Sequence, residues 1–304
     1  MSSSVLDAKH FHDEAAAFAY LESRIWPNGP ICPHCAGSER ISKMKGKSTR
    51  VGLYKCYRCR KPFRATVGTV FEASHVPVRL WLQAVHLMAA SKKGVSSNQL
   101  HRILGVTLKT AWFMSHRIRE AMRVLGMEPM GSGGGVVEVD ETYTGKSIFP
   151  NVGAGTQHKL VVLTLVERGG EARSFHIGRA DRRTIEPIVE ANLAKEAKVA
   201  SDDAGYYRGL KEKGFDHASV SHRRGEYARG EVHSNTVEGY FSVFKRGMKG
   251  VYQHCSEKHL HRYLAEFDFR YSNRVRLGVD DTERAARALS GIVGKRLTYR
   301  ATDR

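Results

Sequence analysis

The chain has no apolar run approaching 18 residues, and its start, Met1-Ser-Ser-Ser-Val-Leu-Asp7, is not a signal peptide. A membrane-spanning helix and a secretory route are therefore not expected. Acidic side chains are scarce: 31 Asp and Glu stand against 49 Lys and Arg, a net charge of +18. The shortage is sharpest in residues 41–71, where nine Lys and Arg meet no Asp or Glu. Such a surplus favours a polyanionic partner, because neutralising phosphates releases counterions, with an anionic membrane surface as the competing partner. Residues 1–135 hold a surplus of 12 positive charges and the remainder only 6, so the amino-terminal third is the main polyanion grip. A chain of 304 residues with 41% apolar and 26% charged content has room for two or three ordinary soluble domains.

Only five cysteines are present, and four of them fall in Cys32-Pro-His-Cys35 and Cys56-Tyr-Arg-Cys59, with 20 residues between the pairs. This spacing predicts a structural tetrahedral Zn²⁺ site over residues 25–72, closed by four thiolates without His34. A pair of redox dithiols is the alternative, and no thioredoxin-like βαβ pattern surrounds them. Cys255 has no thiol partner in the pattern and reads as a buried free cysteine. Tyr54, Tyr57 and Phe63 interleave the basic ribbon and suit either a small core or base stacking, with core preferred. A short helical segment precedes the ribbon in residues 1–24.

Residues 75–128 read as helical, with Ser96–Leu104, a break at Gly105-Val-Thr107, and a longer helix over Leu108–Arg123. Helix, short glycine turn, helix is the helix-turn-helix pattern, and Lys109, Arg117 and Arg119 on the second helix are its candidate DNA contacts. Many helical hairpins that touch no DNA share the pattern. Met130-Gly-Ser-Gly-Gly-Gly135 reads as a flexible linker, so 129–135 is the expected boundary.

Beyond it, residues 136–279 read as strand, strand, strand, helix, strand, helix, strand, helix, the element order of a ribonuclease-H-like α/β domain. A basic helical tail fills 280–304. Asp140 and Asp202 stand at the ends of two apolar runs, and 35 residues separate Asp202 from Glu238. Two Asp and one Glu suffice to hold two Mg²⁺ ions for opening a phosphodiester, one ion activating the attacking oxygen and one stabilising the leaving oxygen. Lys245, two helical turns after Glu238, shares its face and could hold a DNA phosphate. Each residue alone has a plainer reading: Asn235-x-x-Glu238 fits a helix cap, the two Asp could end strands, and Lys245 could be a solvated charge. Glu138 follows the Asp140 side of its strand and could support it. Glu141 and Asp203 should point away. His233 and Asn235 precede a helix, where free amides favour anions.

Val-Glu-Val-Asp140-Glu-Thr-Tyr-Thr-Gly, Ser-Asp202-Asp-Ala-Gly-Tyr-Tyr207 and His233-Ser-Asn-Thr-Val-Glu238-Gly-Tyr-Phe-Ser-Val-Phe-Lys245 together resemble a zinc-ribbon insertion-sequence transposase of the DDE superfamily, the ISXO-like group. Gly250-Val-Tyr-Gln-His254 and the segment from Tyr263 to Arg274 agree with it. One departure is Gly145-Lys146, where a second glycine is expected before the lysine. The resemblance implies that the first and fourth strands lie side by side and bring Asp140 and Asp202 together. It further implies strand cleavage and strand transfer, double-stranded transposon-end and target DNA as partners, and a homo-oligomer; the lack of an apolar span or signal peptide gives the expectation of a cytoplasmic, nucleoid-associated protein. A DNA-binding regulator derived from a transposase, and a nuclease without strand transfer, stay open as alternatives.

Overall fold

The computed structural model describes residues 4–146, 158–221, 224–226 and 228–298; the first three residues of the amino-terminal segment and the last six of the tail lie outside them. Two compact units emerge. The first joins residues up to 123, apart from 92–94, with residues from 280 onward. Its helix α1 (Glu14–Ile25) is started by Asp13, which accepts from Ala16 N at 2.7 Å. Three short antiparallel strands follow, β1 (Ile41–Lys43), β2 (Tyr54–Cys56) and β3 (Pro62–Phe63). Tyr54 and Phe63 stack at 5.8 Å in the ribbon core with Trp26 edge-on, whereas Tyr57 is 49% exposed. Core is thus the right reading for two of the three aromatics.

Helix α2 (Val78–Ala90) has no cap of its own; Glu14 of α1 accepts from Val78 N at 2.7 Å and Arg79 N at 3.2 Å instead. Ser96 caps α3 (Ser97–Leu104), and Thr107 caps α4 (Leu108–Met122). Gly105, at φ +66°, ends α3 in the left-handed conformation that favours glycine.

The second unit is built on a five-stranded sheet: β4 (Val136–Thr144), β5 (Leu160–Glu167), β6 (Ala172–Ile177), β7 (Lys198–Asp202) and β8 (Asp216–Val220), in the order β6-β5-β4-β7-β8. The first three strands pair antiparallel, while β7 runs parallel to both β4 and β8. Apolar side chains at alternate positions feed a core on each face. One core packs Val137, Val139 and Val199 against α5 (Arg182–Asn192) and the 3₁₀ segment Gly205–Leu210. A short pair, β9 (Ala228–Arg229) and β10 (Val232–His233), leads into α6 (Asn235–Gly247). The other core packs Leu160, Val162 and Val166 against α6 and α7 (Leu260–Ser272).

Two sequence expectations about boundaries need correction. Residues 130–135 are not a loose linker: Met130 N donates to Asn192 O at 2.8 Å, Ala194 N to Met130 O at 2.9 Å and Gly131 N to Glu167 Oε1 at 3.2 Å. Gly131, at φ +75°, packs so closely on Ala197 that a side chain there would collide. The glycines therefore make a tight turn that belongs to the second unit, which already begins at Val124. The tail is likewise no separate appendage. Its helix α8 (Asp281–Ser290) packs on α2, and buried Arg284 donates to Ala89 O at 3.2 Å.

Candidate active site

Asp140 and Asp202 come from neighbouring parallel strands. The β4–β7 ladder pairs Val136 with Lys198, Val137 with Val199 and Glu138 with Ala200. Carried two residues further, the same offset sets Asp140 opposite Asp202, just past the last paired residues. Alternation puts both on the face away from the Val137, Val139 and Val199 core. Glu238 enters from the first turn of α6. The three carboxylates share one field: burial first, then the charges of Glu141, Asp202 and Glu238, push Asp140 up to about 8 against a hydrogen bond from Glu141 N. Asp202 Oδ1 accepts from Ala204 N at 3.1 Å, and Glu238 Oε1 from Ser234 Oγ at 2.9 Å. This donor set is short of positive charge, and hard carboxylate oxygens are what Mg²⁺ or Mn²⁺ prefers. Among the described residues these oxygens do not all gather within 4.8 Å of one another. A ligand set shared between two ions about 3.5 to 4 Å apart need not do so.

The neighbouring acids are engaged elsewhere. Glu141 accepts from the hydroxyls of Tyr206 and, at 2.7 Å, Tyr207, and Asp203 accepts from Ser221 Oγ at 2.6 Å. Burial raises Glu141, opposed by the two tyrosine hydroxyls.

Glu138 has the most elaborate surroundings of the group. It is fully buried and accepts from Thr236 N at 2.8 Å, Thr236 Oγ1 at 2.7 Å and Val237 N at 3.0 Å, so its carboxylate caps α6 from a strand nearly a hundred residues away. Arg168, in the β5–β6 turn, donates to it at 2.6 Å and also to Glu231 O and His233 O. His233 Nδ1 lies 3.2 Å from Glu138 and 3.0 Å from the Arg168 guanidinium. Two sequence readings change here. Asn235 is the first residue of α6, exposed and not its cap. The free amides and helix dipole that could have drawn a phosphate are already satisfied by Glu138. Arg168 gave no sequence signal beyond a charge in a glycine turn. Glu138 did, through its alternation with Asp140.

In the first unit the four cysteine sulfurs all lie within 4.8 Å of one another, with Cys32–Cys59 at 3.6 Å and Cys35–Cys56 at 3.7 Å. These separations exceed a disulfide bond and match the edge of a tetrahedron with Zn–S bonds of about 2.3 Å. Cys32, Cys35, Cys56 and Cys59 therefore fit a structural zinc ion.

Residues 133–272 match the ISXO2-like transposase domain, and residues 12–62 match the transposase zinc-ribbon domain. An uncharacterized protein in transposable element ISH50 of Halobacterium salinarum is 30% identical over 284 residues, spanning 88% of this chain and 93% of that one. The chain belongs to the ISXO2-like, zinc-ribbon transposase family.

The structure sorts the three residues of α4 that the helix-turn-helix pattern offers to DNA. Lys109 is exposed in the first turn of α4. Arg117 and Arg119 are buried, at 5% and 0% exposure. Arg117 donates to Glu72 O at 2.9 Å and Leu297 O at 3.0 Å, and Arg119 to Ser115 Oγ at 3.1 Å. Arg117 ties distant segments of the first unit together, Arg119 is bonded within its own helix, and neither buried guanidinium is available to DNA; the assignment of both as DNA contacts is corrected. The buried half of α4 has charged residues where the helix-turn-helix pattern suggests DNA contacts. Lys245 is exposed on α6 and lines a cavity with Lys159 and Lys249. Among the described residues no helix is long and apolar enough to cross a membrane.

Proposed function

We propose that this chain is a DNA transposase that binds the ends of its element and catalyses Mg²⁺-dependent strand cleavage and strand transfer. The observation that carries the reading is the convergence of Asp140, Asp202 and Glu238 from two adjacent parallel strands and one helix onto one face of the sheet. The strand order, three antiparallel strands followed by parallel ones beside the first, supports a ribonuclease-H-like domain.

Asp140, Asp202 and Glu238 would hold two Mg²⁺, which when bound supply Lewis-acid polarisation of the phosphate and an activated oxygen. Glu138 fixes the start of α6 and with it the position of Glu238. Lys245 holds a phosphate of the same strand. Water attacks the scissile phosphate first, releasing a 3′ hydroxyl; that hydroxyl then attacks a target phosphodiester in the same site, so one bond forms for each that breaks. Joining both ends to one target requires them to be held together, which calls for a homo-oligomer on double-stranded DNA.

The test is cleavage and joining of labelled end DNA in Mg²⁺, with binding followed in parallel. Asp140→Asn, Asp202→Asn and Glu238→Gln should each abolish both reactions to a similar degree and leave end binding intact, because the ligands act as a unit. Asp203→Asn should be far milder. Robust cleavage by Glu238→Gln together with an inactive Asp203→Asn would mean that other carboxylates do the work.

A further inference from the structure

The second unit has a cavity of about 360 Å³ where β4, β5, α6 and α7 meet. Leu160, Met248 and Leu260 supply an apolar floor, and Lys159, Lys245 and Lys249 contribute three ammonium groups, with no carboxylate among the described lining residues. All three lysines are exposed. Like charges gathered with no carboxylate among the described lining residues repel one another, and an anion between them relieves that repulsion. The volume falls in the range of about 300–1,000 Å³ typical of pockets for small molecules, far below what a duplex needs. The wall between the lysines is irregular backbone: α6 runs into a single π turn, Met248–Tyr252, which ends on Gln253 at φ +57°. Such turns and strained residues concentrate where ligands are held.

The position of the cavity relative to the carboxylates can be measured along two elements. From Asp140 to Tyr143 is three residues of strand, about 10 Å at 3.3 Å each. From Glu238 to Lys245 is seven residues of helix, also about 10 Å at 1.5 Å each. Both elements run in the same sense, from the carboxylates to the cavity. In B-form DNA about 10 Å is roughly three nucleotides along a strand.

We infer that this cavity takes one nucleotide of the cleaved strand, about three positions from the scissile phosphate, its base unstacked against the apolar floor and its phosphates on the lysines. The inference rests on the proposed chemistry at Asp140, Asp202 and Glu238. An apolar recess rimmed by cations is what a single unpaired nucleotide requires, a flat face and a charged backbone being satisfied together.

The experiment uses the full-length Asp140→Asn protein, which binds without cutting, and end duplexes carrying 2-aminopurine at successive positions from the scissile phosphate. Fluorescence should rise on binding at about the third position and stay low at its neighbours. The pair Lys159→Ala and Lys249→Ala should remove the rise, weaken binding about tenfold and flatten the salt dependence by about one unit per lysine. Cys255 also lines the cavity, and its alkylation by a small maleimide should slow several-fold when DNA is bound, with Cys255→Ser as the blank. No rise at any position and unchanged labelling of Cys255 in the complex would overturn the inference. Equal protection of Cys255 by inorganic phosphate alone would reassign the cavity to a free anion and overturn it as well. These readouts do not depend on cleavage, so a wild-type protein that fails to cut end DNA in Mg²⁺ would count against the proposed function and not against the cavity.

Discussion

Replacing Glu138 by Gln keeps the side-chain volume and removes one charge from the best-connected buried group near the proposed reaction centre. The carboxylate receives only donors: two amides and a hydroxyl from α6 and the Nε of Arg168. A glutamine would turn an NH₂ toward at least one of them, so a donor faces a donor. Removing one partner of a buried ion pair costs about 3–5 kcal/mol. Arg168 is 21% exposed and keeps its bonds to Glu231 O and His233 O, which places the expected loss near the lower end, about 3 kcal/mol. Thr236→Val removes a single neutral donor and should cost only about 1 kcal/mol. Urea unfolding measures both. In protein that is still folded, Glu138→Gln should lower the cleavage rate at saturating DNA by about tenfold or more with little change in end affinity, because misplacing a ligand group by about 1 Å can cost a hundredfold. A Glu138→Gln protein within about 1 kcal/mol of wild type that cleaves at the normal rate would refute both the capping role and its link to Glu238.

Other consequences are equally open to measurement. Zinc should be needed for the ribbon and not for the chemistry, since four thiolates leave no open position for water; Cys32→Ser with Cys56→Ser should unfold the amino-terminal module, and metal analysis finding no zinc in pure protein would end that reading. Lys109→Ala should weaken end binding in a gel-shift assay without changing the melting temperature, whereas Arg117→Ala should lower the melting temperature, because its guanidinium bridges two backbone carbonyls inside the first unit. Burial holds His217 down at about 4, with its Nε2 2.8 Å from Ser201 Oγ. Its contribution is complete above the unfolded value near 6.5 and is lost as the pH falls toward 4, by roughly 3 kcal/mol in all, because the unfolded chain takes up a proton that the folded one excludes. Urea midpoints measured across that window should fall steeply in the wild type and less in His217→Gln; parallel slopes would contradict it.

What could be read in the sequence followed from local periodicity. The strand that carries Asp140, the cysteine quartet and the glycine turn between α3 and α4 announce themselves within a few residues. Partners distant along the chain did not. The acceptor for the α6 amides is Glu138, on β4, whereas a cap sought next to the helix finds only the candidate Asn235. The helix-turn-helix pattern offers Arg117 to DNA, yet its partners, the carbonyls of Glu72 and Leu297, show only once the first unit is folded. The glycines of 130–135 looked unrestrained, since composition does not reveal that the backbone itself supplies the restraint.

Because α8 packs on α2, the first unit is made from both ends of the chain, with the carboxylate-bearing unit threaded between them. A ribosome therefore makes the whole of the second unit before α8 can complete the first. Until then the α2 surface meant for α8 is uncovered, and the nascent protein carries its sheet and carboxylates ahead of a complete first unit. A nonsense codon ahead of α8 would damage a unit encoded mainly upstream of the carboxylates.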